Sequence, residues 1–240
     1  MFNSLTKMKP RDVFTPKGAT VNEGMYIRRA SHENALERSI EKSKHIIIHG
    51  ESGTGKTWLY KKTLKDRGIH FEVLNAATIN TAGSLKEAIR NILARLDPVV
   101  KTSYEEKKAA ELNAVLAKGN VENVGKYNYR STEPFLSLIE AISQNARSDE
   151  SFLIVENLEH VVRDRDLIKE LTSIILYLDD EQYAQYNVRL MLVGTPNNIR
   201  DYFSNAADDQ TIINRTLEIP EVSALNDSQT NTLVRRGFFD

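Results

Sequence analysis

The 240-residue sequence contains no cysteine and one tryptophan. The lack of cysteine excludes disulfide bonds, a thiolate-ligated zinc site and a cysteine nucleophile. Charge of one sign is not in excess either: 32 basic and 33 acidic residues leave a formal net charge of −1, so no overall field attracts nucleic acid or a membrane. No apolar run approaches membrane-spanning length, and the start of the chain lacks a signal-peptide pattern. We therefore expect a soluble, cytoplasmic protein.

The composition that is present indicates a globular chain in three parts. A hydrophobic content of 40% over this length is enough for one sizeable core. Prolines and glycines interrupt residues 1–24, which we expect to form an N-terminal arm. The main domain is predicted at 25–222, with a polar insertion at about 99–131. Residues 223–240 are predicted to begin a helical lid or a linker.

The polar insertion has two interpretations. Four of its residues combine cations with aromatic rings, as single-strand nucleic-acid binders do: Lys126, Tyr127, Tyr129 and Arg130. A solvated loop is the more common outcome for a stretch of this composition. Contact with nucleic acid is therefore possible from the sequence, and not required by it.

Residues 45–57 join an apolar run to a glycine turn and then to the start of a helical pattern. Gly50, Gly55, Lys56 and Thr57 have the spacing G-x-x-x-x-G-K-[ST], in which main-chain N–H groups and a helix N-terminus surround phosphate oxygens. Four such fixed positions arise by chance in about one chain of this length in a hundred. The competing interpretation is a glycine turn carrying a solvated lysine. We predict that a nucleotide contacts this segment, called the P-loop below: Gly50, Glu51, Ser52, Gly53, Thr54, Gly55, Lys56, Thr57 and Trp58.

A P-loop requires further groups around the phosphates. Lys56 is expected to reach the β- and γ-phosphates, and the Thr57 hydroxyl to complete the shell of a Mg²⁺ ion. Glu156 directly follows the apolar run 152–155, where an acidic residue would hold the magnesium hydration shell. The next residue is Asn157, which cannot accept a proton from an attacking water. Either Glu156 or Glu159 takes that role, or turnover is slow and the nucleotide acts as a switch or a structural ligand.

Two more polar residues are candidates for catalysis. Thr195 ends the apolar run 188–193, where its side chain could touch the γ-phosphate or the attacking water; a simple strand-ending turn is the equal alternative. Arg215 lies near the last predicted strand and could reach the nucleotide site of an adjacent subunit. The alternative for Arg215 is a surface arginine on an edge strand.

Strand and helix patterns alternate along most of the chain. This order predicts an α/β fold in which helical crossovers join short parallel strands. The predicted helices, besides the one that begins at Lys56, are 32–42, 84–96, 104–118 within the polar insertion, 132–146, 167–178 and 199–204. The predicted strands are 44–49, 69–74, 152–157, 188–196 and 212–219.

This order of parts resembles the AAA+ and STAND groups of P-loop ATPases, particularly bacterial members related to origin-recognition, transposition-helper and ExeA-like ATPases. The residues that carry the resemblance are 26–29 through Glu33, 50–57, 152–157, 193–196 and 214–220. It implies a three-layer parallel-sheet P-loop NTPase with an incomplete C-terminal helical lid. It also implies that 50–57 is the Walker A loop, Glu156 the Walker B acid, Thr195 a sensor and Arg215 an arginine finger.

The leading hypothesis is an ATP-binding domain, either a Mg²⁺-dependent ATPase or a nucleotide-controlled switch. Its nucleotide state would be coupled to assembly with a protein or nucleic-acid partner, and an arginine finger implies a homo-oligomer. ATP is favoured over GTP because no Asn-Lys-x-Asp motif follows the later strands. Two alternatives are a small phosphotransferase, with the polar insertion as its substrate pocket, and a non-hydrolysing interaction module that uses nucleotide to stabilise its fold.

Overall fold

The structure is a computed structural model that describes residues 20–82, 84–96, 134–195 and 209–238, together with residues 199 and 203. Most of the predicted N-terminal arm, the whole polar insertion with Lys126, Tyr127, Tyr129 and Arg130, and most of the predicted helix 199–204 lie outside the described residues.

Five parallel strands form one sheet in the order β2-β3-β4-β1-β5. Parallel pairing requires a crossover between consecutive strands, and here helices supply it. The strands are β1 His45–His49, β2 His70–Asn75, β3 Ser151–Glu156, β4 Val188–Gly194 and β5 Thr216–Glu218.

Helices pack on both faces of this sheet. In chain order they are α1 Ala30–Ile40, α2 Lys56–Asp66, α3 Ile79–Ala82, α4 Leu85–Leu96, α5 Pro134–Asn145, α6 Arg165–Leu178, α7 Glu181–Ala184, α8 Asp209–Arg215 and α9 Asp227–Phe238. Three short 3₁₀ turns accompany them at Glu23–Met25, Ala76–Thr78 and Leu158–His160.

The core divides into two layers because successive strand residues point to opposite faces of the sheet. Ile46 and Ile48 of β1 pack with α1 and α2 on one face. Ile47, between them, packs on the other face with α4, α5 and α6. All three isoleucines are fully buried, as expected for a central strand covered on both sides. The predicted three-layer P-loop architecture is confirmed.

The sheet register brings three strand ends together. Glu156 at the end of β3 pairs with Val193 of β4, and Gly194 pairs with His49 at the end of β1. The carboxyl ends of β1, β4 and β3 therefore lie side by side, where ligands bind in open parallel sheets.

The predicted last strand, 212–219, is wrong in its first half. Residues up to Arg215 belong to α8, and only Thr216–Glu218 pair with β1. Ile212 is buried as expected, but its carbonyl accepts the Thr216 hydroxyl at 2.9 Å, a helical i to i+4 contact. A short apolar run cannot distinguish a buried helix turn from a buried strand by its pattern, and here packing decided for the helix.

The chain returns past the P-loop before the last helix. The Val222 N–H donates to the His49 carbonyl at 2.9 Å, which anchors the segment 219–226 at the start of the loop. Asn226 and Gln229 then cap α9 reciprocally, each side-chain oxygen accepting the other residue's main-chain N–H. A helix therefore forms in the predicted tail. Among the helices of the described residues, none has the length and apolar character needed to cross a membrane.

Candidate functional site

The P-loop connects β1 to α2 through backbone conformations that favour glycine. Gly50 has φ 147°, and a Cβ there would lie 2.3 Å from the Val222 carbonyl oxygen. Gly55 has φ 88° and caps α2 in the left-handed region. The first glycine therefore allows the C-terminal segment to approach the loop, and the second allows the chain to enter the helix.

Lys56 is folded back over the loop. Its Nζ donates to the carbonyl oxygens of Gly50 and Glu51, both at 2.7 Å. Burial lowers the pKa of Lys56, and the negative charges of Glu159 and Glu156 partly offset this effect. Both oxygens that accept from this ammonium group are neutral carbonyls.

Thr57 and Glu156 meet across the end of β4. The Thr57 hydroxyl donates to Glu156 Oε1 at 2.7 Å, although the residues are 99 positions apart in the chain. Tyr60, one helical turn after Thr57, faces the same carboxylate. Burial, together with the negative charge of Glu156, raises the pKa of the Tyr60 hydroxyl, so this group stays protonated.

Asn157 follows Glu156 at the end of β3 and is hydrogen-bonded to the neighbouring strand. Its backbone is left-handed, with φ 60° and ψ 43°. Its Nδ2 donates to Asn75 Oδ1 at 2.8 Å, and the same oxygen accepts the Ala77 N–H at 3.0 Å. This contact holds the Asn157 amide at the end of β2.

Glu159 is the second carboxylate at this edge of the sheet. It lies on the 3₁₀ turn 158–160, and its Oε2 accepts the Thr195 N–H at 3.2 Å. This contact joins the ends of β3 and β4 and holds the main chain at Thr195. The half-buried side chain of Thr195 faces the same space.

A cavity of about 620 Å³ opens over these groups. Its polar end contains Lys56, Thr57, Glu156, Asn157 and Glu159. Its other walls are largely apolar and come from three parts of the chain: Met25, Tyr26, Ile27, Trp58, Leu59, Ala224, Leu225 and Leu233. A mostly apolar concavity with a few convergent polar groups is the usual form of a small-molecule site.

The structure places the predicted nucleotide contacts in two groups. Ser52, Gly53, Gly55, Lys56, Thr57 and Trp58 line the cavity. Gly50, Glu51 and Thr54 instead hold the loop: the buried Thr54 hydroxyl donates to the Glu51 carbonyl at 2.9 Å, and the carbonyls of Gly50 and Glu51 accept from Lys56.

Arg215 lies at the amino ends of the strands, whereas the cavity of the same chain lies at their carboxyl ends. It ends α8 directly before β5, and its Nε lies 2.6 Å from Asp179 Oδ2. The expected position on an edge strand is therefore wrong. A role in the nucleotide site of another subunit stays a prediction.

Sequence patterns missed Asn75 and Tyr60 at this site. The predicted second strand ends at residue 74, whereas β2 extends to Asn75, which brings this polar side chain beside the end of β3. Tyr60 lies three positions after Thr57, and that spacing on a helix could have indicated a shared face.

A family model described as an AAA domain matches residues 39–203 of the chain. Two curated relatives, the ATP-dependent Clp protease ATP-binding subunit ClpX from two strains of Porphyromonas gingivalis, are each 31% identical over 112 residues. That match covers 47% of this chain and 25% of each relative, so the chain spans about a quarter of their length.

Several solved structures share the fold. A Walker-type ATPase of Pyrococcus abyssi is 16% identical with a TM-score of 0.56, over 89% of this chain and 58% of that one. Cdc6p of Pyrobaculum aerophilum is 15% identical with a TM-score of 0.53, over 95% of this chain and 53% of that one. The ADP form of the ORC2 protein of Aeropyrum pernix is 13% identical with a TM-score of 0.53, over 95% and 55%. At these identities the likeness concerns the fold alone.

Proposed function

This chain belongs to the AAA domain family of ATPases, and we propose that its cavity binds ATP together with Mg²⁺. The observation that carries the proposal is the 2.7 Å hydrogen bond between Thr57 and Glu156 beside Lys56. It brings two hard oxygen ligands and one cation to the same end of the cavity, although they come from α2 and β3. That set matches the needs of a nucleoside triphosphate and its metal.

The oxygens of Thr57 and Glu156 suit Mg²⁺ better than a metal ion whose ligands all come from the protein. Within the described ranges, no group of three or more acidic or histidine side chains could hold an ion. Mg²⁺ typically takes one or two protein oxygens and completes its shell with water and substrate phosphates. When bound, the ion would offset charge on the β- and γ-phosphates. Thr57 and Glu156 would hold it, and Lys56 would exchange its loop carbonyls for phosphate oxygens.

The apolar walls suit the base of the nucleotide. Trp58 and Leu59, in the first turn of α2, line the cavity, and so do Ala224, Leu225 and Leu233 of the C-terminal segment. ATP is preferred to GTP in this proposal because the sequence has no Asn-Lys-x-Asp motif.

Glu159 is the carboxylate best placed to orient and deprotonate an attacking water. Asn157 donates its amide to Asn75 and has no group that accepts a proton at neutral pH. Glu159 lines the cavity and is fixed by the Thr195 N–H, while Glu156 is engaged by Thr57. We therefore assign magnesium binding to Glu156 and water activation to Glu159.

Turnover of ATP by the full chain tests this assignment. Glu159→Gln should lower turnover by about a hundredfold or more, as expected for loss of a general base, and leave ATP affinity unchanged. Asn157→Glu serves as the companion variant, because it restores a carboxylate at the usual position and should raise turnover. If Glu159→Gln hydrolyses ATP at the wild-type rate, Glu159 is not the base.

A non-hydrolysing switch is the second candidate, and the Asn157–Asn75 hydrogen bond favours it. In that case the wild-type chain binds ATP without measurable turnover, and Asn157→Glu gains activity. The small phosphotransferase would depend on residues 99–131, which lie outside the described part of the chain, and no contact in the described part favours it.

Assembly forms the last part of the proposal. Arg215 lies at the edge of the sheet remote from its own cavity, so any contact with nucleotide must be to that of a neighbouring copy. We propose residues 25–222 as the nucleotide-binding domain, 1–24 as an arm and 223–240 as the start of a lid or linker that transmits nucleotide state to a partner. Nucleic acid stays one class of partner to test, because residues 126–130 of the sequence combine cations with aromatic rings.

A further inference from the structure

Arg29 reaches from the segment before α1 to the P-loop. Its Nη2 lies 3.3 Å from the position that a Cβ would take at Gly55, so the missing side chain of Gly55 leaves room for the guanidinium. Its Nη1 donates to the Ser223 carbonyl at 2.9 Å. One side chain therefore touches both the loop and the segment that leads to α9.

The neighbouring carboxylate does not neutralise this cation. Glu33 Oε1 accepts the Tyr26 hydroxyl at 2.8 Å and the main-chain N–H of Arg29 at 2.9 Å. Glu33 Oε2 accepts Arg28 Nε at 3.1 Å. These contacts fix the backbone that carries Arg29 and leave its guanidinium directed into the cavity.

Among the described residues, the hydrogen bonding of the Arg29 guanidinium ends at the Ser223 carbonyl, with no carboxylate partner. Burial lowers the pKa of Arg29, which means that its charged form has lost hydration without gaining an anion. A guanidinium presents a planar set of N–H donors that matches phosphate oxygens. The phosphates of a nucleotide are the anion that the cavity is built to receive.

We infer that Arg29 binds a phosphate of the nucleotide beside Gly55, while its other nitrogen stays on the Ser223 carbonyl. This inference rests on the proposed function. Because Arg29 approaches from the side of Met25, Tyr26 and Ile27, it meets the phosphates nearest the base, which ATP and ADP share. Nucleotide binding would thereby fix the segment at Ser223, which enters α9.

The test compares the affinities of ATP, ADP and adenosine for the full chain, with adenosine measured by competition at millimolar concentration. Arg29→Gln should weaken ATP and ADP to the same extent, by about tenfold or more, and leave adenosine unchanged. Arg29→Lys, which keeps the charge, should recover part of the loss and also serves if the glutamine variant does not fold. Arg38→Gln, at an exposed position of α1, is the matched control and should bind all three like the wild type.

Three results decide the matter. Equal weakening of ATP, ADP and adenosine by Arg29→Gln would mean that Arg29 only shapes the cavity, and this overturns the inference. Unchanged ATP affinity in Arg29→Gln overturns it as well. Failure of the wild-type chain to bind ATP at all would instead refute the proposed function, so the two failures are distinguishable.

Discussion

The charged groups at the two ends of the parallel strands are used in opposite ways. At the amino ends of the strands, called the amino edge below, Arg215 pairs with Asp179 at 2.6 Å and Arg189 pairs with Glu150. At the carboxyl ends of the strands, where the cavity lies, Lys56 and Arg29 donate to main-chain carbonyls. A cation that is paired with a carboxylate stabilises the fold. A cation that donates only to neutral carbonyl oxygens can instead donate to a negatively charged ligand.

The side chains at the amino edge form a network of contacts with one another and with the main chain. Leu190 N–H donates to His45 Nδ1 at 3.0 Å, and His45 Nε2 lies 3.6 Å from Asp179 Oδ1. Arg189 also donates to the Ile40 carbonyl at 2.8 Å and lies 4.6 Å from the ring centroid of Phe152. Each of these partners comes from a different element, so the network ties α1, β1, β3 and β4 together at the end of the sheet remote from the cavity.

The largest expected effect is at this network. Arg189→Ala leaves the Glu150 carboxylate without its partner and should lower the free energy of unfolding by about 3 kcal/mol. ATP affinity of the folded variant should stay at the wild-type value. Denaturant unfolding and calorimetric titration measure the two quantities. The exposed Lys169→Ala is the control and should change stability by less than about 0.5 kcal/mol. Loss of ATP affinity without loss of stability would break the contrast between the edges.

A second effect separates the two carboxylates of the cavity. Glu156→Gln should leave ATP affinity in the presence of a chelator unchanged and reduce the gain produced by Mg²⁺ by about tenfold to a hundredfold. Glu159→Gln should keep the full response to Mg²⁺. Titrations of ATP with and without the ion give both numbers. Equal responses in the two variants would remove the distinction between metal binding and water activation.

The smallest effect concerns pH at the amino edge. Burial alone would raise the pKa of Asp179, but the nearby His45 and Arg215 outweigh it and lower this pKa. A carboxylate whose pKa is lower in the folded state stabilises the protein above its usual pKa of about 3.9 and loses that contribution as the pH falls through its folded pKa. Asp179 is 39% exposed, so solvent screening keeps the contribution below about 1 kcal/mol.

Arg215→Ala should therefore be less stable than the wild type at pH 7, and the difference should shrink as the pH falls below about 4. Thermal unfolding at a series of pH values measures it. A difference that stays constant down to pH 3 would show that Arg215 stabilises the fold without acting through the charge of Asp179.

The parts that sequence predicted well are contiguous. The strand, loop and helix at 45–66 and the strand that ends at Glu156 each occupy consecutive residues, so a local pattern is enough to predict them. The contacts that sequence missed cross the fold. Asn75 meets Asn157 only because β2 lies beside β3, and Arg29 meets Ser223 across 194 positions. Strand order and the return of the chain past Gly50 determine both contacts, and no local pattern encodes either.

The strand predicted at 212–219 is wrong in its first half because burial alone does not distinguish a helix from a strand. Ile212 is buried in either conformation, so its apolar character carried no information about helix or strand. Thr216 is the first residue to pair with β1, and the register that places it opposite His45 depends on the rest of the sheet. The end of α8 is therefore determined by the pairing of Thr216 with β1, more than by the local composition.

Titration of the full chain with ATP and Mg²⁺, for the wild type and for Lys56→Ala, tests the central claim most directly. The account predicts one site in the wild type and a loss of affinity of at least about a hundredfold in the variant, because two charge-assisted contacts disappear. Without nucleotide the melting temperature of the variant should fall only slightly, because the hydrogen bonds that the Lys56 ammonium group donates within the described residues go to two carbonyls of the same loop. Equal ATP affinity in the two proteins, or no binding by the wild type, would contradict the account.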